Sequence, residues 1–286
     1  MKLSPKVGVP LLMAIAVTFS ANHISARVAF DHGASVATAV LLRSAFTAAV
    51  VFSLLRLQGV AMKLGGATLG RAAIVGLVLA AQSFCLYSAV ASIPVALALL
   101  AFNTFPVMLA LMTWAAGRGR PSARAAWAMP VALFGLSLAL DAWGKPIGAG
   151  VLWAFGGALA FATVLFLTDL WLKEVDGRVR SMLTMATTAV VVGLAGAAAG
   201  GLHAPADATG WVGVLLLSAL YGTAITSLFV VLPKLGSANY AAVLNFEPIS
   251  ALVLAWVLLG QSIAPLQVFG AFVVMGAIAW LGLARK

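Results

Sequence analysis

Two short stretches concentrate the polar chemistry of an otherwise apolar chain. Leu244-Asn245-Phe246-Glu247-Pro248 and Phe102-Asn103-Thr104-Phe105-Pro106 each lie inside an apolar run, and each sets an asparagine three residues before a proline. A proline there removes one helical N–H, and its ring pushes on the carbonyl four residues back. In lipid that carbonyl needs another partner. Pro106 and Pro248 therefore predict kinks that leave polar backbone facing protein or water. Paired interruptions in corresponding halves point to the binding site of a membrane carrier. A packing kink with no ligand is the plain alternative for either stretch alone, and it weakens for the pair because they recur in register.

Glu247 is the only acid well inside an apolar run. An intramembrane carboxylate is costly and is a functional candidate by default. It suits a substrate ammonium, a coupling proton or an ion pair with a base; a structural ion pair or a protonated carboxyl is the plain alternative. Arg43 is the only base well inside a run. It suits a carboxylate in fork geometry or a pair with Glu247, and its plain alternative is snorkelling to the nearer surface. Asn22 and His23 share the first run, where a lone histidine reads as hydrogen-bonded packing ahead of a proton relay. Gln82, Tyr87, Tyr221, Thr223 and Thr226 add neutral donors and acceptors, and Phe84, Phe102, Phe105 and Phe246 add aromatic walls. Apolar walls with a few polar groups are what a small organic ligand needs. The expected substrate-binding set is Asn22, Arg43, Gln82, Tyr87, Asn103, Tyr221, Asn245 and Glu247.

No catalytic constellation, metal site or cofactor is expected. The chain has one cysteine, Cys85, inside an apolar run, and no metal-ligand spacing. Asp169 lies beside Trp171 and Lys173 and reads as interfacial. A membrane-embedded enzyme would need paired aspartates or an HExxH near one membrane face, so the chain reads as a non-enzyme. Gly193, Gly196, Gly200 and Gly201 include a GxxxG, a weak signal for close helix packing.

The elements that position these residues follow from composition. Of 286 residues 63% are hydrophobic and 8% charged, against about 25% charge in soluble domains. This is an integral membrane composition. The net charge is +10, but the bases lie between apolar runs with no aromatic-interleaved basic face, so nucleic acid is not a partner. A crossing helix needs about 20 apolar residues. Ten runs qualify: 7–27, 35–57, 71–91, 95–116, 124–141, 149–171, 181–201, 210–232, 238–259 and 264–283. The charge-free stretch from Ala72 to Ala116 divides at Ser92-Ile93-Pro94, since proline disfavours helix at the residue before it. The first run reads as a retained span in preference to a cleaved signal peptide.

With both termini in the cytoplasm, fourteen of the seventeen Lys and Arg residues fall in inner segments and only Arg27 and Lys145 in outer ones. The eight tryptophans fall near span ends, as interfacial belts do. A shift of 142 residues lays Asn103 on Asn245, Pro106 on Pro248, Trp114 on Trp256 and Tyr87 on Phe229. The expected architecture is thus all-α, with ten transmembrane helices in two five-helix repeats, residues 1–143 and 144–286. Five is odd, so the second repeat enters the membrane inverted, which gives a route to alternating access.

The ten spans, the two halves and the paired Asn-x-x-Pro kinks resemble the drug/metabolite transporter superfamily with two EamA-type halves. Asn245-Phe246-Glu247-Pro248 is similar to that family's second-half Glu-Pro signature, while Phe105-Pro106 lacks the acid in the first half. Within the family the chain looks closest to bacterial aromatic amino-acid exporters of the YddG type. The resemblance implies a bacterial inner-membrane carrier, monomeric or weakly dimeric, that exports amino acids through a cavity between the halves. A different cargo, such as an organic cation or a nucleotide sugar, is the alternative; a phosphate-bearing one would favour more bases than Arg43 within the spans.

Overall fold

The computed structural model describes residues 5–60, 62, 64–118, 123–139, 148–235, 246–262 and 264–282. Eleven helices and no strand occur among them: α1 (Pro5–Asp31), α2 (Val36–Leu57), α3 (Gly66–Ser92), α4 (Val95–Phe102), α5 (Phe105–Ala115), α6 (Ala123–Ala139), α7 (Ala149–Trp171), α8 (Gly177–Ala198), α9 (Ala208–Leu235), α10 (Glu247–Leu259) and α11 (Pro265–Gly282). Seven spans, with Val95–Ala115 taken as one, are long and apolar enough to cross a membrane. Pro130–Ala139, Glu247–Leu259 and Pro265–Ala277 are shorter apolar helices, in the places of the expected fifth, ninth and tenth spans. Residues 238–245 of the expected ninth span lie outside the described residues.

Local chemistry sets the helix ends. Gly33, at φ 89°, makes the turn after α1, a backbone shape that L side chains resist. Ser35 then caps α2, its Oγ accepting from the Thr38 N–H at 3.1 Å. Asp176 caps α8 through the Arg178 N–H at 2.8 Å. The expected fourth span does not merely bend at Pro106: it divides into α4 and α5 at Asn103-Thr104. Pro106 has no N–H for the turn before it, and local side chains cover neighbouring carbonyls. Asn103 Nδ2 donates to Leu99 O at 2.8 Å and Thr104 Oγ1 to Ala101 O at 2.7 Å. The glycine reading of α8 needs correction. Gly193 and Gly196 do pack on Leu41 and Ala37 of α2, but Gly200 lies beyond the helix end at φ 63°, so the GxxxG is part helix, part turn.

The helices pair in an ordered way. α1 packs on α9, α3 on α7, α2 on α8 and α6 on α11. Further contacts join α3 to α8, α2 to α9, α1 to α10, and α4 and α5 to α7. The 142-residue shift equates α1 with α7, α2 with α8, α3 with α9, α4–α5 with α10 and α6 with α11. Exchanging the halves then turns α1·α9 into α7·α3, α2·α9 into α8·α3, and α1·α10 into α7·α4–α5, while α2·α8 and α6·α11 map onto themselves. Every one of these pairings is present. The α1·α9 contact is close enough to need glycine: a Cβ on Gly213 would lie 2.9 Å from both Ser25 O and Ala29 N.

One apolar core joins α1, α3, α4, α6, α7, α10 and α11 toward the face where α1 ends, through Ile24, Val90, Leu99, Leu136, Ala154, Ala255 and Val274. Polar ties close that face. Arg27 Nη1 donates to Val90 O at 3.1 Å, placing a cation at the end of α3. Gln261 Oε1 accepts from Val95 N at 3.2 Å, joining the α10–α11 turn to α4. Toward the opposite face the core splits into separate groups: α3 with α7 and α8, α1 with α9, and α2 with α8.

Candidate functional site

A buried polar chain joins four helices inside the bundle. Asn22 on α1 donates through Nδ2 to Leu217 O of α9 at 2.8 Å and accepts through Oδ1 from the Tyr87 hydroxyl of α3 at 2.8 Å. Tyr87 in turn accepts from Arg43 Nη1 of α2 at 3.3 Å, and Arg43 Nη2 donates to Ser83 Oγ at 3.0 Å. Ser83 Oγ donates to Gln82 Oε1 at 3.3 Å. Asn22 and Tyr87 are fully buried and Arg43 is 4% exposed. The Arg43 guanidinium lies over the Tyr221 ring at 4.1 Å and the Tyr87 ring at 5.0 Å, where aromatic faces attract a cation. Four of the eight predicted residues thus meet directly, Asn22, Arg43, Tyr87 and Tyr221, and Gln82 joins them through Ser83. Arg43 does not snorkel; its side chain is held inside by α3 and α9.

Glu247 stands at the start of α10, immediately before the buried Pro248, and its side chain is 23% exposed. Its Oε1 lies 3.3 Å from His23 Nε2 of α1. The expectation of an Arg43–Glu247 pair is therefore corrected: the partner is His23, which sequence reasoning had weighted toward packing. Two serines fix this junction. Ser20 Oγ donates to Glu247 O at 2.7 Å and lies 2.7 Å from Ser250 Oγ. The sequence signal for them was present, since Ser20 precedes His23 by three residues and Ser250 follows Glu247 by three. That spacing places each pair on one helix face. The His23 ring also lies 5.6 Å from the Tyr87 ring, which joins the acid's pair to the arginine's chain.

The first interruption is differently furnished. Asn103 turns its amide onto its own helix at Leu99 O, so it does not join the buried chain. Around Pro106 the walls are aromatic: Phe102, Phe105 and Phe161 form a trio with ring centroids 4.8–5.7 Å apart. Phe84 faces away from this group, edge-on to Trp153 at 6.0 Å. Asn245 lies outside the described residues, as do Asn239 and Tyr240. Asp169 is exposed, 3.7 Å from Arg118, as its interfacial reading requires. Among the described residues, Glu247 and Arg43 thus belong to separate but adjoining sets, with aromatic walls at the first break.

The described chain is a multi-pass helical membrane protein. Residues 148–283 match the family model described as the EamA-like transporter family, of the drug/metabolite transporter superfamily. Members of that family are membrane transporters of small solutes, not enzymes. A solved crystal structure superimposes with a TM-score of 0.68 over 99% of this chain and 100% of its own, at 18% sequence identity, which is a likeness of fold. No match occurs among curated proteins.

Proposed function

We propose that the chain exports amino acids, aromatic or otherwise apolar, across a bacterial inner membrane by alternating access between two inverted five-helix repeats, residues 1–143 and 144–286. The observation that carries this reading is the placement of Glu247. A carboxylate partly open to its surroundings stands at the start of α10 beside His23, its backbone carbonyl held by Ser20 and Ser250, next to a buried network that holds Arg43. A purely structural acid would be expected to be closed off and fully paired. A carrier of small zwitterions needs an acceptor for an ammonium, a base within reach and apolar walls. Glu247, Arg43 and the Phe102–Phe105–Phe161 trio meet those three needs.

The exchange-symmetric helix pairing supports the inverted repeats, because two such halves can trade conformations and open a central cavity to each side in turn. The EamA-like match supports small-solute transport, and both termini in the cytoplasm follow from the Lys and Arg distribution. Glu247→Gln tests the reading. It keeps the size and removes the charge, so purified variant should insert normally and lose at least about tenfold in amino-acid flux, about 1.4 kcal/mol. Unchanged flux would remove Glu247 from the site.

A further inference from the structure

Among the described residues, Arg43 and Glu247 form no ion pair with each other. Arg43 is 4% exposed, and its hydrogen-bond partners, Tyr87 and Ser83, are both neutral. Its Nε is buried and has no hydrogen-bond partner among the described residues. The acid in the same interior, Glu247, is engaged by His23 instead. A buried cation with no counter-anion is costly, and a structural arginine would be expected to take the carboxylate at hand. Nε is also the donor that, with one Nη hydrogen, forms the side-on fork for a planar carboxylate. The guanidinium carbon lies 4.1 Å from the Tyr221 ring centroid and 5.0 Å from that of Tyr87, so two aromatic rings flank the cation.

We infer that Arg43 is the anion site of the carrier and binds the carboxylate of the cargo through Nε and an Nη hydrogen. The inference rests on the transport reading above and adds the cargo's chemical class: a monocarboxylate small enough to reach Arg43 inside the bundle, with any amine directed to Glu247. In the conformation described, Tyr87 and Ser83 occupy the Nη donors as neutral stand-ins. The Nη beside Nε–H is Nη2, so the bond in the way of the fork is the 3.0 Å one to Ser83 Oγ, while the Nη1 bond to Tyr87 can stay. A phosphate-bearing cargo is disfavoured, because Arg43 is the only base well inside the predicted spans.

The test is ligand-induced thermal stabilisation of detergent-purified protein with three probes of one ring size: phenylacetate, phenethylamine and L-phenylalanine. Phenylacetate should stabilise the wild type saturably and lose at least tenfold in Kd in Arg43→Gln. Arg43→Lys keeps the charge without the fork, should show the same loss, and serves if the glutamine variant fails to fold. Equal stabilisation of wild type and Arg43→Lys by phenylacetate, or none of the wild type, would overturn the anion site. Counterflow of L-phenylalanine separates the two readings. No counterflow with Arg43-dependent phenylacetate binding sinks the amino-acid reading alone; normal counterflow by Arg43→Lys at unchanged KM sinks the anion site alone.

Discussion

Removing the Tyr87 hydroxyl should cost more than its size implies, because that one oxygen links two helices to a third. In Tyr87→Phe the ring keeps its edge contact with Phe30 at 6.0 Å and its place beside His23. What goes is the 2.8 Å bond to Asn22 Oδ1 and the 3.3 Å bond from Arg43 Nη1. Neutral interhelical bonds in membranes contribute about 0.6 kcal/mol on average and up to about 1.7. A bond to a charged group contributes roughly 1.5–3 kcal/mol, and the lower end applies at this length. The loss should therefore be about 2–3 kcal/mol, a fall of roughly 5 °C in Tm. Thermal melting in detergent measures it, and a cycle with Asn22→Leu isolates the shared bond. Coupling of at least about 0.6 kcal/mol is expected; additivity within about 0.3 would refute the claim that Tyr87 and Asn22 act as a unit.

Three further outcomes follow from the packing and the loops. Gly213→Ala puts a methyl 2.9 Å from two backbone atoms of α1, which cannot rotate away; it should destabilise by about 1–3 kcal/mol, read as a lowered Tm, while Gly276→Ala, whose Cβ meets nothing within 4 Å, should not. Val95→Cys with Gln261→Cys, in a Cys85→Ser background, should let a short bismaleimide lock α4 to the α10–α11 turn and arrest transport; full cross-linking with normal flux would show that this face need not open. On the same face, the Gly210 N–H and then the His32 side chain hold the Asp207 carboxyl below its ordinary range. A depressed carboxyl stabilises the fold above the ordinary carboxylate range and loses that contribution as the pH falls below it and through the lowered folded-state value. Asp207→Asn should therefore flatten the acid limb of a Tm-against-pH curve, and an unchanged limb would count against the Asp207–His32 tie.

The all-helical class was legible because long apolar runs form helices: seven described spans are long and apolar enough to cross a membrane, three of the ten expected are shorter helices, and Pro106 marks the break between α4 and α5. Boundaries were less so. α1 continues to Asp31 and α3 begins at Gly66, past the apolar runs, since a helix does not end where its hydrophobicity does. The buried chain was only half legible. Asn22, Arg43, Tyr87 and Tyr221 stood out as polar or aromatic residues in apolar runs, but which of them touch depends on helix rotation and pairing, and no span shows that alone. For that reason the sequence alone favours packing for His23, admits Glu247 as a partner for Arg43, and points Asn103 to the cavity, whereas His23 meets Glu247 and the Asn103 amide returns to Leu99 O. Ser20 and Ser250 were missed because serine is common in such helices and only their three-residue offsets from His23 and Glu247 mark them.

The measurement that bears most directly on the account is counterflow of radiolabelled L-phenylalanine into proteoliposomes of purified protein preloaded with unlabelled amino acid, beside empty liposomes and Glu247→Gln. The account predicts a transient accumulation of label in the wild type, dependent on the preload and reduced at least about tenfold in the variant. Label entering no faster than into empty liposomes, with phenylalanine, methionine and threonine all inert as preloads, would contradict it.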